Sequence, residues 1–193
     1  LWPGSMSGMS ARQDAEHQQC EEWKSKAFRR SAFVRFMMGK LRESGCGVGR
    51  DKFQCCQCDT SGVGGGFVKD HGIVLCENGL KTYTQVEQAM THEMIHAFDD
   101  CRAFVDWDNC VHHACSEIRA ANLSGDCKFY NEVQRGNASL FHFEGLGQKC
   151  VRRRAELSVN VNPSCQGEGV AAAAVDKAWE KCFKDSAPFD RVP

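Results

Sequence analysis

No stretch of this 193-residue chain approaches the about 18 consecutive apolar residues that a membrane-spanning helix needs. Charge of one sign is also missing. The 24 basic and 25 acidic residues are well mixed and leave a net charge of −1, which gives no electrostatic argument for nucleic acid. The one basic run, Arg152-Arg153-Arg154, reads as a solvated helix face rather than a contact with anionic lipid. The first ten residues lack the basic start and apolar centre of a secretory signal, so residues 1–13 read as a disordered leader. Internal repeats and low-complexity tracts are absent. No second CxxC accompanies Cys55-Cys56-Gln57-Cys58, which argues against a paired-CxxC structural zinc site.

Cysteine is what the chain has in excess. Its 13 cysteines are scattered from Cys20 to Cys182 rather than bunched in tandem pairs. That scatter favours a disulfide framework formed in an oxidising compartment. An odd total leaves at least one free thiol or an intermolecular bond. Many cysteines without a visible signal sequence point to the mitochondrial intermembrane space. The sequons at Asn122 and Asn137 matter only if the chain enters the secretory route.

The most specific pattern is His92-Glu93-Met94-Ile95-His96, an HExxH box. Residues i and i+4 of a helix stack on one face, so the two imidazoles can converge on one Zn²⁺. Glu93 then projects beside the metal, where a general base for the attacking water must sit. Thr84-Gln85-Val86-Glu87 reads as a capping box, followed by apolar residues at helical spacing and no Gly or Pro until past Arg102.

A catalytic zinc takes three protein ligands and keeps one position open. Residues 110–122 read as a second helix carrying His112, His113 and Glu117. Glu117 follows His96 by 21 residues, a separation that suits a carboxylate ligand on the next helix, and it is the preferred third ligand. His113 shares its face at i, i+4, so either could ligate while the other supports it. Asp99, one turn past His96, is the other alternative and is better suited to orienting a ligating His. The long motif with a third His is excluded, because no Gly follows His96 at the required turn and Arg102 occupies the final His position.

Elsewhere, residues 14–44 read as helix with a break near 28–31, and the Cys- and Gly-rich stretch 45–66 as loop. Two short apolar runs flanking Lys69-Asp70-His71-Gly72 read as a β-hairpin. The hairpin serves either as a stabilising ribbon or as the edge on which an extended substrate lies. Residues 128–146 read as part helix and part loop, 150–161 as helix ended by Pro163, and 168–184 as a final helix. The expected architecture is a mainly helical α+β, zincin-like core stapled by disulfides, a single domain over residues 14–193.

The run from Thr91 to Ala103, then Val105-Asp106-Trp107, then Ala114 to Cys127, resembles the mitochondrial intermembrane-space metalloproteases that assist ATP synthase assembly. The likeness extends upstream through Ser44-Gly45-Cys46, Gly65-Gly66-Phe67 and Val74 to Asn78. Downstream it takes in Cys150-Val151-Arg152 and Cys182-Phe183, covering roughly residues 20–191. The resemblance implies zinc held by His92 and His96 with Glu93 catalytic, and an enzyme peripheral to the inner membrane that folds as its cysteines oxidise. It also implies maturation of subunit a of ATP synthase and a chaperone-like role with membrane-sector subunits, separable from proteolysis. It does not fix the third ligand. The family's cysteine pattern is matched here by all cysteines except Cys56, Cys110 and Cys165, which either form an added bridge or remain thiols. A non-catalytic chaperone with a structural zinc, and a secreted zinc protease glycosylated at Asn122 or Asn137, are the rival readings.

Overall fold

The computed structural model describes residues 10–59, 62–137 and 145–193. Most of the expected leader, residues 1–9, lies outside these. The chain divides into two compact units, Leu1–Cys101 and Arg102–Pro193.

The first unit opens with α1 (Ala11–Arg30), which starts three residues earlier than the sequence reading placed it. The cause is a capping box: Ser10 and Gln13 satisfy each other's backbone amides. Buried Ser31 breaks the helical stretch, accepting from the Val34 amide at 3.1 Å to start α2 (Ala32–Glu43). The expected hairpin is present as β2 (Gly65–Val68) and β3 (Gly72–Cys76), paired antiparallel. At its turn Gly72 has φ +125, and a β-carbon there would stand 2.3 Å from the Lys52 carbonyl oxygen, so only glycine fits.

The presumed loop before the hairpin contains a third strand, β1 (Phe53–Cys56), parallel to β3, giving the order β1-β3-β2. Four residues flanked by cysteines and glycines give too short an alternation to read. Pairing and the bridges Cys20–Cys55 and Cys58–Cys76 fix the strand instead. Central β3 buries Ile73, Leu75 and Cys76. After it comes α3 (Tyr83–Arg102). Its cap is Thr82 rather than Thr84: Thr82 Oγ1 accepts from the Gln85 amide at 3.2 Å, and Gln85 Oε1 accepts from the Lys81 amide at 2.7 Å. The Cys46–Cys101 bridge pins the far end of α3.

The second unit contains α4 (Cys110–Leu123), α5 (Phe129–Gln134), α6 (Leu146–Val161) and α7 (Val170–Lys184). Its core joins Ala114, Ile118 and Ala121 of α4 to Val151 and Ala155 of α6 and Val175 of α7. Small residues let these helices approach closely. Bridges Cys110–Cys165, Cys115–Cys182 and Cys127–Cys150 staple them. Cys110 and Cys165 thus form the added bridge, and Cys56 is the free thiol. Burial, with the Glu77 charge adding to it, pushes the Cys56 thiol pKa up, which keeps it protonated at neutral pH. The arginine run is a partly exposed helix face, as expected, whose side chains are also paired. Arg152 pairs with Asp176, Arg153 with Glu132 at 2.9 Å, and Arg154 with Asp126 at 2.7 Å.

Arg119 of α4, 1% exposed, reaches Asp185 Oδ1 at 2.8 Å and donates to the Ala187 carbonyl. Burial would raise the Asp185 carboxyl, but Arg102 and Arg119 outweigh it and hold the pKa below the ordinary value. The Asp185 contribution to stability is therefore present above the unfolded carboxylate pKa of about 3.9 and lost as pH falls through the lowered folded value. Arg119→Met is expected to lose about 1.5–3 kcal/mol at neutral pH. In urea titrations the gap from wild type should narrow on acidification below about pH 4.

Candidate metal centre

The capping at Thr82 and the bridge at Cys101 fix both ends of α3, and the HExxH box straddles its middle. The His92 and His96 rings meet edge to face with centroids 4.8 Å apart, and each offers a ring nitrogen within 4.8 Å of the other. His92 is half-buried and His96 buried. Asp99, one turn on, is buried on the same helix. An i, i+4 imidazole pair with a nearby carboxylate suits Zn²⁺ better than the hard, oxygen-seeking cations.

Glu93 is 6% exposed and packs against β2. A β-carbon added at Gly65 would stand 3.4 Å from Glu93 Cγ, 3.5 Å from its Oε1 and 2.6 Å from the Val74 carbonyl oxygen. Glycine at 65 thus lets β2 lie close to β3 and to the carboxylate at once. The sequence reading named Gly65 only within the family-like run Gly65-Gly66-Phe67 and gave it no role of its own. The signal was the run Gly64-Gly65-Gly66 at the head of a strand, where three glycines weaken pairing unless close approach requires them.

On α4, Asn109 caps the helix by accepting from the Val111 and His112 amides. Glu117, 5% exposed, accepts at Oε1 from Ser158 Oγ at 2.7 Å and from His113 Nε2 at 3.3 Å. Asn162 Oδ1 accepts from the Ser164 amide and its Nδ2 donates to the Trp107 carbonyl, which fixes the amide orientation. The same Nδ2 then donates to His113 Nδ1 at 3.0 Å, leaving the proton on Nε2 to face Glu117. Both nitrogens of His113 are therefore engaged by neighbouring side chains. His112 turns to its own loop, where its Nδ1 accepts from the Asp106 amide at 3.2 Å.

Comparison with known proteins first gives the class, which is a peptidase. This chain belongs to the Peptidase M76 family, matched over residues 18–190. It is 42% identical to the mitochondrial inner membrane protease ATP23 of Meyerozyma guilliermondii over 173 residues, 90% of this chain and 70% of that one. It is 40% identical to the protein of the same name in Schizosaccharomyces pombe over 177 residues, 92% of this chain and 94% of that one. The Saccharomyces cerevisiae relative is 42% identical over 177 residues, covering 90% of this chain and 78% of its own length. No solved structure matches. Among the described residues, no helix is long and apolar enough to cross a membrane.

Proposed function

We propose that this chain is a zinc-dependent endopeptidase of the mitochondrial intermembrane space, peripheral to the inner membrane. Its clients are subunit a of ATP synthase, which it matures, and other membrane-sector subunits whose assembly it assists. The observation that carries the reading is a buried Glu93 beside two imidazoles, His92 and His96, that meet edge to face on a helix fixed at both ends.

His92 and His96 hold the metal and Glu117 supplies the third ligand. His113 and Ser158 keep the Glu117 carboxylate in one orientation. Bound there, Zn²⁺ would polarise the scissile carbonyl and lower the pKa of the attacking water toward about 7. Glu93 accepts the proton of the attacking water and delivers it to the leaving amine. β2 lies at the edge of the described sheet with Gly65 against Glu93, so an extended substrate adds alongside it as a further strand.

His113→Ala should weaken zinc binding about 10–100-fold without removing a ligand, measured by chelator competition. Cleavage of a synthetic subunit a precursor by the oxidised protein tests the activity itself. Chelation should stop it and added Zn²⁺ restore it; cleavage untouched by metal removal would sink the zinc mechanism.

The second reading is a non-catalytic assembly chaperone with a structural zinc site. A closed structural site has no use for the Glu93 carboxylate, which favours the protease. The secreted alternative is disfavoured at Asn122, whose side-chain amide donates to the Phe183 carbonyl at 3.2 Å and is not presented for glycosylation.

A further inference from the structure

Away from the HExxH helix, Cys20 of α1, Cys55 of β1 and Glu77 just after β3 converge in the first unit. All three are buried, and their two sulfurs and a carboxylate oxygen lie within 4.8 Å of one another. Cys20 and Cys55 are joined as a disulfide. Glu77, 2% exposed, is held by His17 Nδ1 at 2.7 Å and by Gln57 Nε2, which donates to it at 3.0 Å. Gln57 also reaches Glu16 at 3.3 Å, so the carboxylate is oriented by a network and is not loosely packed. The proteolytic site makes no use of these residues.

A disulfide needs no carboxylate beside it, yet the His17 and Gln57 hydrogen bonds hold the Glu77 carboxylate there. Two thiols and a carboxylate around one point are different: they form a donor set for a borderline-soft cation. Zn²⁺ takes thiolate sulfur at about 2.3 Å and carboxylate oxygen at about 2.0–2.2 Å. Donor atoms already within 4.8 Å of one another need only small side-chain rotations to surround such an ion.

We propose that the dithiol form of Cys20 and Cys55, with Glu77, is a second Zn²⁺ site, mutually exclusive with the Cys20–Cys55 bond. Two equivalents of a small thiol reduce the disulfide and leave as their own disulfide, which gives one thiol on each cysteine. Binding of Zn²⁺ then displaces both thiol protons to solvent and forms two sulfur–metal bonds. His17 and Gln57 hold Glu77 as positioning residues. In either state a link joins α1 to the sheet, a covalent bond when oxidised and a metal bridge when reduced.

The test uses Co²⁺ as the probe, because thiolate–cobalt charge transfer is absent from a site built of His and Glu. The full chain is titrated before and after reduction with a phosphine. Glu77→Ala, His17→Ala and a Cys20→Ser/Cys55→Ser double variant are titrated alongside it. The reduced wild type should develop a thiolate–cobalt band that the oxidised protein lacks. Glu77→Ala and the double variant should bind at least about tenfold more weakly at that band, and His17→Ala about 10–100-fold. Glu77→Ala keeps every cysteine, so other reduced pairs cannot account for the difference. No band in the reduced wild type, or an equal band in Glu77→Ala, would overturn the proposal. Because the HExxH site adds no thiolate signal, the outcome is independent of whether that site binds metal.

Discussion

Glu93→Gln is expected to leave folding and zinc content unchanged and to reduce peptide cleavage by at least about 10²–10⁴-fold, the usual contribution of a positioned general base. The substitution keeps shape and polarity but removes the group that takes the proton of the attacking water. Glu93 is 6% exposed and packs on Gly65, so an isosteric amide fits the same space. Turnover of a subunit a precursor peptide, measured with zinc content, separates this role from a structural one. Zinc lost together with activity would instead make Glu93 part of the metal site. Assembly activity surviving in the cleavage-dead variant would support a separate chaperone role.

The largest stability effect is expected at the Cys115–Cys182 bridge, which joins α4 to α7 across 67 residues of sequence. Chain-entropy reasoning for a loop of that length gives about 4 kcal/mol, within the about 2–5 kcal/mol usual for losing a native disulfide. The bridge lies in the packed cluster around Ile118, Val175 and Ala178, so the loss also leaves an imperfectly filled core. A Cys115→Ala/Cys182→Ala variant should lower the denaturation midpoint, followed by circular dichroism in urea. Cys110→Ala/Cys165→Ala is the informative comparison, because each bridge joins one partly buried and one buried cysteine, and its shorter separation of 55 residues predicts a similar, slightly smaller loss. Equal and negligible effects from both would contradict the staple account.

Helix-borne features were legible in the sequence because helical spacing is local. The box on α3, the break at Ser31, the second helix from Cys110 and the final helix to Lys184 all follow from periodicity and caps. The α3 cap was misread by two residues, since Thr82 and Thr84 each stand three before a residue able to complete a box. β1 was missed because its pairing with β3 and its bridge to Cys20 are non-local. The disulfide map was illegible for the same reason: spacing says which cysteines exist, and only the fold says which meet. The roles of His113 and Glu117 were equally open from i, i+4 spacing. The Asn162 contact to His113 Nδ1 comes from a residue 49 positions away and could not be read from that spacing.

Metal content of the purified oxidised protein, measured for wild type beside Glu117→Ala, tests whether Glu117 completes the zinc site. One zinc per wild-type chain, lost or greatly weakened in the variant, is the expected result. Zinc absent from wild type, or held equally tightly in Glu117→Ala, would contradict it.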